Sequence, residues 1–142
     1  MAQDKRAILR AMSQENVEVV RHAIAAYNRR DFEAIRDLNH PDVQVDWSAS
    51  RGLAAGVYQG QEEVMRFYQD FLGTFEEVQI EPERFIESGD SVVVPNSAQI
   101  RGRDGIEVVA RSAIVFEIRG GLVARICLYQ DTHEALEATG PR

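Results

Sequence analysis

The sequence predicts an α+β domain. Its core is a cone-shaped barrel: a strongly curved antiparallel sheet of four long strands and one short strand, wrapped around three helices, with a short C-terminal helix. Three observations carry this. Apolar residues recur at helical spacing in the first half of the chain, at Val17, Val20, Ile24 and Tyr27, then at Val64, Phe67, Phe71 and Phe75. From about residue 77 the alternation changes to period two. The period-two runs are separated by "ESGD", "GRDG" and "RGG", short polar glycine turns of the hairpin kind. Helices gathered on one side of a bent antiparallel sheet make an α+β layer, and a long helix across that sheet leaves a cone open at its wide end.

Each element follows in order. Met12 and the following "SQENVEVV" mark the expected start of the domain, so residues 1–12 are read as an N-terminal extension and 13–142 as one domain. Ser13 is an expected N-cap, and Glu15 in the first turn suits the positive end of the helix dipole. Asn28–Asp31 interrupts the apolar stripe, and Asp31 can cap a second short helix that turns Phe32, Ile35 and Leu38 inward. Pro41 ends that helix, because it restricts the residue before it and lacks an N–H. "DVQVDW" alternates Val43, Val45 and Trp47 with polar residues, as a half-buried strand does. "SASRGLAAGVYQG" reads as a loop long enough to be a pocket lip. A third helix is expected from about Gln61 to Leu72, stopped by Gly73. Strands at about 77–87, 91–101, 107–119 and 122–131 form a meander, and His133–Ala138 is a final short helix.

Composition bounds the function. A chain of 142 residues with 44% hydrophobic and 27% charged residues is one globular domain with a real core. Sixteen Lys and Arg against 23 Asp and Glu leave a formal charge of −7, with no basic cluster longer than Arg29–Arg30, so no nucleic-acid partner is expected. No apolar run approaches the roughly 20 residues that span a bilayer, and the first dozen residues are too polar for a secretory signal. The single cysteine, Cys127, cannot form an internal disulfide. A reducing, cytoplasmic setting is therefore expected. Three scattered histidines predict no metal site. The glycine turns lie between strands and not between a strand and a helix, so no nucleotide or other cofactor is expected.

Two stretches resemble one family. "MSQENVEVVRHAIAAYNRRDFEAIRDLNHPDVQVDW" and "EIRGGLVARICLYQDTHEALEATG" are similar to SnoaL-like proteins of the nuclear-transport-factor-2-like superfamily, from Met12 to Gly140. The Asn-Arg-Arg-Asp-Phe step and the closing Tyr-x-Asp-x-x-x-Ala-Leu are the most diagnostic parts. The resemblance implies the cone-shaped fold with a central pocket, and a homodimer packed through the outer face of the sheet. It also implies a small, largely apolar organic ligand, with cofactor-free acid/base chemistry (cyclisation, isomerisation or hydrolysis) if the protein is an enzyme. The alternative is a non-catalytic binding or dimeric interaction module of the same fold.

The family's catalytic patterns carry over unevenly. An isomerase-like site needs a Tyr and two Asp where this chain has Ala23, Trp47 and Ile114, so steroid isomerisation by those groups is not expected. A hydrolase-like site needs a Tyr-x-Asp on the last strand, which "YQD" supplies as Tyr129 and Asp131. Its Arg-x-Asp partner has no match: Arg101 and Asp104 are wrongly spaced, and Arg111 is followed by Ala113 where an Asp is needed. Asp131 is thus the candidate acid or base and Tyr129 its orienting neighbour. Strand parity puts both on one face with Val123, Arg125 and Cys127. The other reading of Asp131 is an N-cap for the last helix. Tyr27 and Trp47 are candidate pocket walls. Asn96, beside Pro95 in "VVVPNSAQI", is a candidate polar pocket group at a bulge or edge.

Overall fold

The computed structural model describes residues 5–52 and 54–140, with the backbone alone for residues 5–13. The elements in chain order are α1 (Lys5–Asn28), α2 (Phe32–Leu38), β1 (Asn39–Asp46), β2 (Val57–Gln59), α3 (Gln61–Thr74), β3 (Glu77–Pro82), β4 (Ile86–Ser88), β5 (Ser91–Arg101), β6 (Glu107–Arg119), β7 (Leu122–Tyr129) and α4 (Thr132–Thr139). The expected α+β arrangement holds, with three differences in detail. The sheet has seven strands, ordered β2-β1-β7-β6-β5-β3, with β4 also paired to β5. It is mixed and not wholly antiparallel, because β1 runs parallel to β7. It stays open, with β2 and β3 as its ends, and does not close into a barrel.

Helix α1 begins earlier than the sequence suggested, so Ser13 lies inside the helix and is not its cap. "KRAILRAM" consists mostly of good helix formers, which extend the helix toward the N-terminus. Gly73 falls within the last turn of α3, which ends at Thr74. The run at 77–87 is two strands: β3 pairs with residues 96–101 of β5 and β4 with residues 91–93. Pro95 lies in the gap between them. A residue without an N–H is tolerated there because no flanking strand asks for one, and its carbonyl still accepts from Glu83 N–H at 2.8 Å. The β5–β6 register is unbroken through Pro95, so that site is a local edge and not a bulge.

Helices α1, α2 and α3 cover the concave face. Val20, Ile24, Ile35, Val64, Met65, Phe67 and Tyr68 meet Val43, Val45, Val92, Val94, Ile114, Phe116, Ile118, Val123, Ile126 and Leu128 in one core. Burying a branched apolar side chain contributes about 1.5–3 kcal/mol, so this helix-on-sheet contact dominates stability. The convex face carries a smaller cluster, in which Ala135 of α4 packs on Val93, Ala113 and Val115, joined by Tyr129 and Leu136. The β6–β7 hairpin turns through Gly120 (φ 60°) and Gly121 (φ 78°), the two positive values a type I′ turn requires. No described helix is long and apolar enough to cross a membrane.

The "NRRDF" step is the joint between helices and sheet. Arg30 N–H donates to Tyr27 O and Asp31 N–H to Ala26 O, closing α1 with Arg30 in the left-handed region at φ 55°. A residue other than glycine costs about 1–2 kcal/mol in that conformation. The Arg30 guanidinium offsets this by donating to Phe75 O and Glu76 O, both at 3.2 Å. Asn28 donates from Nδ2 to Ile80 O at 2.9 Å and accepts at Oδ1 from Ile80 N–H at 2.8 Å. Its side chain therefore acts as one more strand residue for β3.

Candidate functional site

The concave face holds two adjoining cavities that share Tyr27, Trp47, Ile80 and Ile114. The inner chamber, about 40 Å³, lies deep among α1, α2, α3 and the sheet, with Phe67, Tyr68, Phe116 and Ile126 on its walls. The outer one, about 410 Å³, opens at the wide end of the cone. It is within the range of small-molecule pockets. Phe71, Phe75, Val78, Ala98 and Leu128 supply its apolar surface, and Ser50, Arg51 and Gly52 form part of its lip, as the small-residue loop suggested. That loop is shorter than expected, since Val57–Gln59 is a strand paired to β1.

Aromatic side chains dominate the walls. Trp47 lies 5.9 Å from Phe67 and 6.4 Å from Phe71 between ring centroids. Tyr27 and Tyr68 meet edge to face at 5.8 Å. Burial pushes both phenols well above the usual tyrosine range, so they are neutral hydrogen-bonding groups near neutral pH. Polar groups collect at the mouth: Asn96, Ser112, Gln130, Arg51 and Arg111. Gln130 donates to the Ala49 carbonyl, tying the lip to the end of β7. Arg111 pairs with Glu83 and is otherwise exposed. Among the described residues, the two linings contain no carboxylate and no histidine.

Tyr27, Trp47 and Asn96 are brought together around these cavities. Asp131 and Tyr129 are not. Tyr129 packs on Val93, Ala113 and Val115 under α4, on the convex face. Asp131 is exposed and accepts at Oδ1 from Glu134 N–H at 2.8 Å, capping α4. Parity joined Tyr129 to Asp131, and Tyr129 packs with Val93, Ala113 and Val115 on the convex face, so this candidate pair does not line the cavities. A register shift between Glu117 and Ile118 leaves one extra residue in β7 beside it, a bulge at Ala124. Val123 therefore enters the core with Ile126 and Leu128, while Arg125, Cys127 and Tyr129 face out. The paired large apolar residues Ile126 and Leu128 were the sequence signal for the inner face.

Arg125 and Cys127 belong to a polar group on that outer face. Arg125 Nη2 lies 3.3 Å from Asp46 Oδ2, and its Nη1 lies 3.0 Å from Glu117 Oε2. The Ser48 hydroxyl, then its backbone N–H and the Arg125 charge, hold the Asp46 carboxyl below the usual carboxylate range. Burial pushes the Cys127 thiol up. Sequence reasoning missed Tyr68, Phe71 and Ser112 as lining residues. Their own periodicity marks them only as core or strand positions. Ala23, Trp47 and Ile114, the places where an isomerase pattern would carry its Tyr and two Asp, all line the inner chamber. The chemistry at those positions is apolar. No group of three or more His, Cys, Asp or Glu among the described residues could hold a metal ion.

A model of the SnoaL-like domain matches residues 20–126. No curated protein matches the chain. Several solved structures share its fold. An NTF2-like protein of unknown function from Burkholderia pseudomallei is 24% identical, covers 89% of this chain and 98% of its own, and gives a TM-score of 0.73. TerC, co-crystallised with polyporic acid, is 23% identical over 89% of this chain and 99% of its own, with a TM-score of 0.73. RV0760c from Mycobacterium tuberculosis, in complex with estradiol-17beta-hemisuccinate, is 14% identical over 84% of this chain and 95% of its own, at 0.72. At these identities the likeness is one of fold.

Proposed function

The chain belongs to the SnoaL-like domain family, and from that premise we propose that it binds a small, largely apolar organic molecule in the mouth of the cone. The observation that carries this is the outer cavity of about 410 Å³, walled by Trp47, Phe71, Phe75 and Ile80 and edged by a few polar groups. Apolar walls supply affinity by area removed from water, and sparse polar groups orient the ligand. TerC and RV0760c, which share the fold, were each solved with a small organic molecule.

Binding is favoured over turnover. Proton transfer near neutral pH needs a group that titrates near there, and the linings offer amides, hydroxyls, two high-pKa phenols and two arginines. Within this proposal Asp131 holds the start of α4 and Tyr129 fills the outer cluster, and neither touches the ligand. The dimer through the outer face of the sheet that the family resemblance implies is part of the same proposal. Sedimentation giving a monomer at high micromolar concentration would remove it.

Trp47 is the sole tryptophan in the chain and lines both cavities, so its fluorescence reads the site directly. Titration with a panel of small planar alcohols, phenols, ketones and acids should give saturable changes for at least one class. Ala98→Phe, which places a ring in the mouth, should weaken that binding by about tenfold or more, as a steric block of a pocket does. Unchanged fluorescence and unchanged thermal stability across the whole panel would overturn the proposal.

A further inference from the structure

Asn96 is the most deeply buried polar residue bordering the outer cavity, with 2% of its surface exposed. Its Nδ2 donates to Val94 O at 3.0 Å and to Ser112 O at 3.4 Å. Both contacts are carbonyls, and they settle the amide orientation, since the flipped form would set its oxygen against two other oxygens. Oδ1 must then face away from them. It is buried and has no hydrogen-bond partner, and the Ser112 hydroxyl, opposite Asn96 in the β5–β6 register, does not reach it. Asn39 Nδ2 and Gln61 Oε1 are also unpartnered, but these two are neighbours of complementary sign, since Gln61 already donates to Asn39 O. Asn96 Oδ1 is an unpartnered acceptor in a residue that borders the outer cavity.

We propose that Asn96 selects the ligand class: the molecule bound in the cone carries a neutral hydroxyl or N–H donor that meets Asn96 Oδ1, on an otherwise apolar, planar body. This rests on the reading of the cone as a ligand cavity and makes it specific. A buried acceptor without a partner is costly, and a ligand donor that satisfies it recovers that cost only on binding. A carboxylate or ether oxygen at the same place would face the amide oxygen without a hydrogen between them. An ammonium would supply a donor, but the charged side chains at the mouth among the described residues are Arg51 and Arg111, both cationic. A neutral donor is the remaining solution.

The test compares 2-naphthol with 2-methoxynaphthalene, the same skeleton with and without the donor, by amide NMR titration of the wild-type chain. Binding of 2-naphthol should be about tenfold tighter, the scale of one buried neutral hydrogen bond. Both should shift the amide signals of residues 94, 96–98 and 110–114. Asn96→Leu, of similar volume, should abolish the preference while keeping the ether's affinity. If that variant does not fold, the wild-type pair of affinities decides alone. Equal wild-type affinities would overturn the inference and leave the binding proposal standing. No binding of either compound, nor of any in the wider panel, would overturn both.

Discussion

Asp131 shows how one residue type can serve two plausible ends and how geometry separates them. Its carboxylate is exposed and accepts from Glu134 N–H, with the residue itself extended at φ −144° as a cap must be. Asp131→Ala should therefore cost about 1 kcal/mol of stability, the usual value of an N-cap, while leaving affinity in the cone unchanged. Urea denaturation and the Trp47 titration read the two effects separately, and lost binding with full stability would reverse the assignment. Asp46 gives a pH signature on the same face. Its folded pKa is depressed, chiefly by the Ser48 hydroxyl, so the stability it contributes is present above the ordinary carboxylate value. That contribution is lost as pH falls through the lower folded value. Asp46→Asn should consequently lie below wild type in thermal stability at neutral pH, and the gap should narrow below the ordinary carboxylate value. A gap constant with pH would show that the carboxylate charge is not what Asp46 contributes.

At the scale of elements, the "NRRDF" step is a mechanical joint. Asn28 serves both backbone groups of Ile80, Arg29 pairs with Asp31 at 3.2 Å, and Asp31 caps α2 through Ala34 N–H at 3.1 Å. Asn28→Ala strands a partly buried N–H and C=O on β3 and should cost about 2–3 kcal/mol by the usual penalty for such groups. A loss below half of that in chemical denaturation would mean water replaces the amide. Most elements were legible because each local signal agreed with the fold: apolar stripes at 3.6 residues, caps at Asp31 and Asp131, glycine turns between strands. The misses came where two effects competed. Good helix formers before Ser13 outweighed its capping preference, and Gly73 could remain helical in the last turn of α3. The bulge at Ala124 put Val123 on the opposite face from Arg125, Cys127 and Tyr129, and a bulge leaves no reliable mark in one sequence; the site role of Tyr129 rested on the Tyr-x-Asp resemblance and not on parity. The parallel pairing of β1 with β7 joins opposite ends of the chain, which no local pattern encodes.

For the whole molecule, the layer of helices and the sheet meet around two phenols whose state depends on the integrity of that contact. Tyr27 comes from α1 and Tyr68 from α3, and both are pushed far above the usual tyrosine range by burial against the concave face. A group whose folded pKa is raised stabilises the fold below its unfolded pKa and withdraws that stability as pH rises toward the folded value. For tyrosine the loss therefore starts above about pH 10. Ionisation in place is opposed, because a phenolate among Phe67, Trp47 and Ile80 would be desolvated and the chamber lining holds no cation among the described residues; the Arg30 charge offsets this only in part, and only for Tyr27. Alkaline titration should then show two classes among the four tyrosines. Tyr27 and Tyr68 should ionise only together with loss of helical circular dichroism and a jump in Trp47 exposure. Replacing both with Phe retains the rings and removes the titration, so the alkaline midpoint of unfolding should move to higher pH even if neutral stability falls slightly. Ionisation of all four phenols with an unchanged far-ultraviolet spectrum would show that water enters the cone freely, and would make its inner chamber an accessible part of the binding site and not a sealed floor beneath it.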